Sequence, residues 1–202
     1  MMTITYETGD GLYVNITNRC SNSCDFCIRK LGPGAYGSDS LWLDREPTVD
    51  EITESILARD LTKYAELVFC GYGETTERID DMIEVARRVK AVHPMKIRVN
   101  TNGHARLLHP GKDVTSIFEG AIDIVSISLN TANAADYQKV CHSRFGEAAY
   151  DALIKFAGDV RPYVSEVLLS VVRGSIPDED IEICRTIADK VGVTLRVRDL
   201  IK

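Results

Sequence analysis

No stretch of this chain approaches the ~20 consecutive apolar residues needed to cross a bilayer, so no membrane partner is expected. Nor is there an excess of positive charge. Against 24 basic residues stand 30 acidic ones, a net charge of −6, which removes the electrostatic basis for bulk nucleic-acid binding. The opening residues, Met1 to Asp10, are polar and acidic and do not resemble a signal peptide. A disulfide framework is missing as well: Cys70, Cys141 and Cys184 are single and far apart, and His93, His104, His109 and His142 form no clear ligand pair. That weakens a two-pair structural zinc site and points to reduced thiols, hence a cytoplasmic location. With 202 residues, 45% hydrophobic and 27% charged, the chain suits one core domain spanning residues 1–202.

What is present is concentrated in eight residues. Cys20-Ser-Asn-Ser-Cys24-Asp-Phe-Cys27 spaces three cysteines as C-x3-C-x2-C directly after an apolar run. Three thiolates can hold one face of an iron–sulfur cube and leave one iron open to a ligand from outside the protein. Ferredoxin-type runs fill the fourth corner with a cysteine usually followed by proline, and no Cys-Pro pair occurs. Zinc ligation and a C-x-x-C redox site at Cys24 and Cys27 are the competing readings; the second gives Cys20 no role.

The rest of the pattern alternates strands with helices. Leu12–Ile16, Leu67–Cys70, Ile97–Asn100, Ile124–Leu129, Val167–Val172 and Val193–Val197 read as six strands. Between them, Thr48 with Glu51 offers a capping box, and Ile79, Met82, Ile83, Ala86 and Val89 keep helical spacing. Residues 104–119 suggest a short or broken helix, and 134–160 two helical pieces split near Gly146. Gly32–Gly37 must be loop, and Pro177 opens a last helix striped by Ile181, Cys184, Ile187 and Val191. This alternation predicts an α/β fold: a partial (β/α)6 TIM-like barrel, with a doubly wound open sheet as the alternative. The motifs follow strand ends, where such folds place their sites.

Taken together, the cysteine loop after strand one, Gly71-Tyr-Gly-Glu74 after strand two and Asn100-Thr-Asn-Gly103 after strand three resemble the radical S-adenosylmethionine (SAM) enzymes. Gly11 to Cys20 and the short length further resemble the small radical SAM proteins associated with TatD-type hydrolases. The resemblance implies a [4Fe–4S] cluster on Cys20, Cys24 and Cys27, with SAM on the fourth iron. It also implies reductive cleavage of SAM to a 5′-deoxyadenosyl radical that abstracts hydrogen from substrate. By the same resemblance, the Phe26 backbone meets the adenine, and a carbonyl within Gly71, Tyr72, Gly73 and Glu74 receives the methionine ammonium. Tyr72 replaces the family's usual glycine but keeps that carbonyl. Asn100 and Asn102 are placed at the ribose, Ser128, Asn130 and Arg173 near the methionine carboxylate, and Val197 with Arg198 along the adenine.

Each of these has a plainer reading: an Asx-turn for Asn102, solvent for Arg173, loop packing for Phe26. Cys70 and Cys184 read as small hydrophobes, and the Cys141-His142 pair as structural. An electron donor such as flavodoxin or ferredoxin is implied. Almost nothing follows strand six to serve as a lid, which suggests a protein or peptide substrate. The other enzymatic option is a small molecule, with Gly32–Gly37 and residues 39–46 folding over it. A non-catalytic iron–sulfur or zinc protein is the alternative from a different class.

Overall fold

The computed structural model describes residues 2–199. Thr5–Thr8 (β1) and Gly11–Val14 (β2) form an antiparallel hairpin. Glu66–Phe69 (β3), Lys96–Thr101 (β4), Ile124–Ser128 (β5), Glu166–Arg173 (β6) and Thr194–Asp199 (β7) then join in turn, each parallel to the strand before. Strand order follows chain order throughout. There is therefore no switch point of the doubly wound kind, and among the described residues β1 and β7 do not pair with each other, so the sheet stays unclosed. This is a partial TIM-like barrel of six parallel strands.

The seventh strand, β1, is an addition to the six expected. Its residues are mostly polar, so apolar patterning does not reveal it. The usable signal is the two-residue Gly9-Asp10 link, with Gly9 at φ +59°, a hairpin turn that only glycine enters cheaply.

The helices are Val49–Leu57 (α1), Ile79–Val92 (α2), Ala105–Leu108 (α3), Ala134–Cys141 (α4), Ala148–Val160 (α5) and Asp178–Val191 (α6). The capping box at α1 forms in full: Thr48 Oγ1 accepts from the Glu51 amide at 3.2 Å, and Glu51 Oε2 accepts from the Thr48 amide at 2.8 Å, a device worth about 1 kcal/mol. The break between α4 and α5 falls at left-handed His142 (φ +46°) and Gly146 (φ +64°).

Alternation along the strands divides the structure into a dry outside and a polar lumen. Phe69, Val99, Val125, Ile127, Leu169 and Val171 are fully buried against Met82, Val89, Leu153, Phe156 and Cys184 of the helices. Their neighbours Cys70, Asn100, Ser128, Val172 and Arg198 turn the other way and line a cavity of about 250 Å³ at the carboxyl ends of the strands.

Candidate active site

The cysteine loop lies over this cavity because α4 holds it there. Ser23 and Asp25 amides donate to the carbonyls of Cys141 and Val140, both at 2.9 Å, and the Arg144 amide donates to Ser21 O at 2.9 Å. Those carbonyls end a helix and would otherwise be unpaired, so loop and helix satisfy each other. Cys20, Cys24 and Cys27 all line the cavity. Burial pushes the Cys20 thiol up to about 12. Cys24 is also raised, first by its contact with Cys141 and then by burial. Such thiols ionise when a metal supplies the compensating charge. Among the described residues no three His, Cys, Asp or Glu side chains converge on a single-ion position. A cluster makes a different demand, since each thiolate takes its own iron.

Gly71 and Gly73 are explained by close approach. A Cβ on Gly71 would stand 2.1 Å from Asn15 Oδ1, and one on Gly73 would stand 2.3 Å from Thr17 O. The turn thus packs onto the chain leaving β2, locked by Tyr72 N to Asn15 Oδ1 at 3.3 Å and Glu74 N to Arg19 O at 2.7 Å. The Tyr72 side chain points away from this contact. Its hydroxyl donates to Gly32 O at 2.7 Å and its ring meets Trp42 edge-on at 5.1 Å. Tyr72 therefore anchors the 28–43 loop over the mouth, where Ile28, Leu31, Ala35, Tyr36 and Leu41 line the cavity. Its carbonyl receives no backbone donor among the described residues.

Glu74 is a clamp as well as a lining residue. Oε1 accepts from Thr76 N (3.0 Å), Thr76 Oγ1 (2.7 Å) and Thr101 Oγ1 (2.6 Å), and Oε2 accepts from Asn102 N (2.6 Å). Burial raises its carboxyl while these donors pull it down. The net effect ties the end of β3 to the end of β4.

Asn102 closes an Asx-turn, accepting from His104 N at 3.0 Å, while its Nδ2 donates to Ser21 Oγ at 2.8 Å and reaches Cys20 Sγ at 4.0 Å. Asn100 is different: its Oδ1 is buried in the cavity without a partner. Ser128, Asn130 (left-handed, φ +64°) and Phe26 also line the cavity, the phenylalanine packed partly on the main core. Arg173 and Val197 lie outside the lining. Arg173 is exposed, 3.7 Å from Asp178 and 4.0 Å from Asp199. Arg198 takes the lumen-facing place beside Val197.

Sequence reasoning missed a relay behind the loop. Ser21 Oγ and Tyr137 Oη hydrogen-bond the two nitrogens of His104 at 3.0 and 3.1 Å, and Asn22 Nδ2 donates to Tyr137 Oη at 2.9 Å. His104 is fully buried, and burial pushes its imidazole down to about 4. Its position opening α3 gave no hint of this role.

A cavity at the carboxyl end of an α/β barrel, roofed by three thiols, is the class of site in which such folds hold a metal cofactor. The family model for the radical SAM superfamily matches residues 14–187: the chain belongs to that superfamily, whose enzymes use a [4Fe–4S] cluster and SAM. It is 30% identical over 142 residues to a GTP 3′,8-cyclase of Lactiplantibacillus plantarum, a match covering 67% of this chain and 39% of that protein. The chain thus spans about two fifths of that relative's length. Among solved structures it resembles Streptococcus suis SuiB bound to its precursor peptide SuiA (TM-score 0.69, 16% identity, covering 98% of this chain and 40% of that one). SuiB bound to SAM is similar at TM-score 0.67 and 16% identity, covering 94% and 38%. At these identities the likeness to SuiB is one of fold.

Proposed function

We propose that Cys20, Cys24 and Cys27 would hold three irons of a [4Fe–4S] cluster, with SAM in the cavity below them. So held, the cluster would supply the electron that cleaves SAM reductively, giving a radical able to take a hydrogen atom from the substrate. The observation that carries this reading is convergence: residues from five separate strand ends and the cysteine loop meet at one cavity.

The fit extends to individual atoms. The Tyr72 carbonyl is available to the methionine ammonium, and Asn100 Oδ1 needs a donor that a ribose hydroxyl supplies. Ser128 and Asn130 offer polar groups to the carboxylate, and Glu74 holds the β3 and β4 ends in register for all of them. The Phe26 backbone remains the adenine contact. Arg173, facing solvent, has no part in this arrangement.

The unclosed wall between β1 and β7 supports access by an extended peptide or protein segment. A small-molecule substrate is the second reading, favoured by the 28–43 loop already lying over the mouth. Flavodoxin or ferredoxin would deliver the electron, in a reducing compartment such as the cytoplasm. Among the described residues no helix is long and apolar enough to cross a membrane.

The test is anaerobic reconstitution with iron and sulfide, reduction in the presence of SAM, and mass spectrometry for 5′-deoxyadenosine. The product is expected from the native chain and not from Cys24→Ala. A cluster that assembles without binding SAM would sink the proposal.

A further inference from the structure

Arg98 of β4 and Arg198 of β7 both turn toward the lumen, and they are treated differently. Arg98, near the floor, is satisfied: Glu66 accepts from it at 2.5 and 3.1 Å, and the Tyr13 hydroxyl lies at 3.4 Å. Arg198, near the carboxyl end of β7, has its Nε buried and without a hydrogen-bond partner among the described residues. Its chain neighbour Asp199 cannot serve, because that carboxylate is turned to solvent and lies 4.0 Å from Arg173. A buried donor left unpaired is costly, which singles out Arg198 as a donor open to an acceptor from outside the chain.

The wall around Arg198 has matching chemistry. Register pairs Asn100 with Ser126, Ser128 with Ser170, and Val172 with Arg198. Side chains two apart share a face, so the alternation that exposes Asn100, Ser128 and Arg198 to the lumen turns Ser126 and Ser170 the same way. On this wall stand three hydroxyls and one guanidinium, while the other lumen arginine is already neutralised by Glu66 and the Glu74 carboxylate is taken up by its own four donors. That is a surface for anionic oxygen, which arginine binds in a forked geometry.

SAM itself carries a carboxylate, but the cysteine loop follows β2, whereas Arg198 stands on β7 at the far end of the strand order.

We propose that Arg198 is the substrate's anion subsite: a carboxylate or phosphate of the substrate accepts from its guanidinium, lumen serines donate to the remaining oxygens, and the reacting C–H is thereby held below the cysteine loop. This deepens the reading of the site given above and rests on it. Arg198 acts here as a specificity-determining residue, selecting substrates by charge.

The two sources of such an anion separate experimentally. The reconstituted, SAM-saturated protein is treated with phenylglyoxal, and adducts are mapped by mass spectrometry in sodium chloride, inorganic phosphate or succinate at equal ionic strength. Phosphate or succinate is expected to slow modification of Arg198 roughly tenfold, the worth of one charge-assisted hydrogen bond, and to leave Arg173 unchanged. Protection by phosphate alone assigns a phosphorylated substrate such as a nucleotide, and by succinate alone a carboxylate such as an acidic side chain. Protection by both supports the anion subsite in its general form.

No selective protection by either anion overturns the proposal. So does Arg198 already shielded by SAM before any anion is added, which would give it to the cofactor. A second measurement guards against poor reactivity: the anion-dependent rise in melting temperature should disappear in Arg198→Gln and persist in part in Arg198→Lys, and an unchanged rise in Arg198→Gln overturns the proposal. Formation of 5′-deoxyadenosine is scored on the untreated protein. Its absence removes the radical reading, and anion protection is judged independently of it.

Discussion

Asn130 Nδ2 donates to the buried Cys141 Sγ at 3.3 Å, and the Cys141 carbonyl accepts from the amide of Ser23, the residue before Cys24, at 2.9 Å. The Cys141 thiol is held below its ordinary pKa and the Cys24 thiol above its own, each first by the contact between the two. Cys141 thus supports a cluster cysteine from behind and is not itself a lining residue.

Cys141→Ala is therefore expected to keep the full iron and sulfide content, while Cys24→Ala loses it. The alanine variant should unfold about 2 kcal/mol more easily, combining a small cavity with the Asn130 amide left without its acceptor. Iron and sulfide analysis with urea unfolding decides it. A fall in iron matching that of Cys24→Ala would make Cys141 a ligand.

Glu74 accepts four hydrogen bonds from three residues in a fully buried position. In Glu74→Gln, an amide NH2 must face at least one of those donors. The expected cost is about 2–4 kcal/mol of stability, the range for spoiling a buried charged network. SAM affinity should fall with it, because the ends of β3 and β4 lose their tie. Calorimetric unfolding and SAM titration of the reconstituted protein measure the two effects. Wild-type values in both would mean the carboxylate is not a clamp.

Much of this site was legible in the sequence, and the parts that were not share a cause. Motifs contained in one turn, Cys20–Cys27, Gly71–Glu74 and Asn100–Gly103, announce themselves because the chemistry needs those residue types at fixed local spacing. The Thr48 capping box and the Gly146 break were readable for the same reason. Cys141 was not, since its meaning depends on a contact across the sheet. Arg198 and Val197 differ only in parity, and which of the two faces the lumen is set by the β6–β7 register, where Val172 pairs with Arg198. The β1 hairpin hid because Thr5, Glu7 and Thr8 carry no apolar pattern.

Gly73 separates the backbone demand of the turn from its side-chain chemistry. A Cβ there would meet two main-chain oxygens, Thr17 O at 2.3 Å and Arg19 O at 2.7 Å, and backbone cannot swing aside as a side chain can. Gly73→Ala is expected to destabilise by about 1–3 kcal/mol and to weaken SAM binding by displacing the Tyr72 carbonyl. Gly37→Ala is the control: nothing lies within 4 Å of its Cβ, though its φ of +82° carries some strain of its own. It should leave SAM affinity unchanged. Equal losses of SAM affinity in both variants would show that close approach at Gly73 is not what the turn requires.

His104 gives the fold a pH dependence whose sign follows from its burial. The folded imidazole is held down at about 4, against 6.5 for the free group. The unfolded chain therefore takes up a proton on this residue before the folded one does. The associated stability is fully present above about pH 6.5 and is lost as the pH falls toward 4. For a fully buried ring the difference amounts to roughly 3 kcal/mol at most. Other groups titrate over the same range, so the informative quantity is the difference between wild type and His104→Gln, which cannot take up the proton. Urea unfolding at pH 7 and pH 4.5 should show the wild type losing about 2 kcal/mol more than the variant over that interval. Parallel losses in the two proteins would mean that His104 is already protonated in the native state. In that case the relay from Ser21 to Tyr137 would have to run with both ring nitrogens as donors.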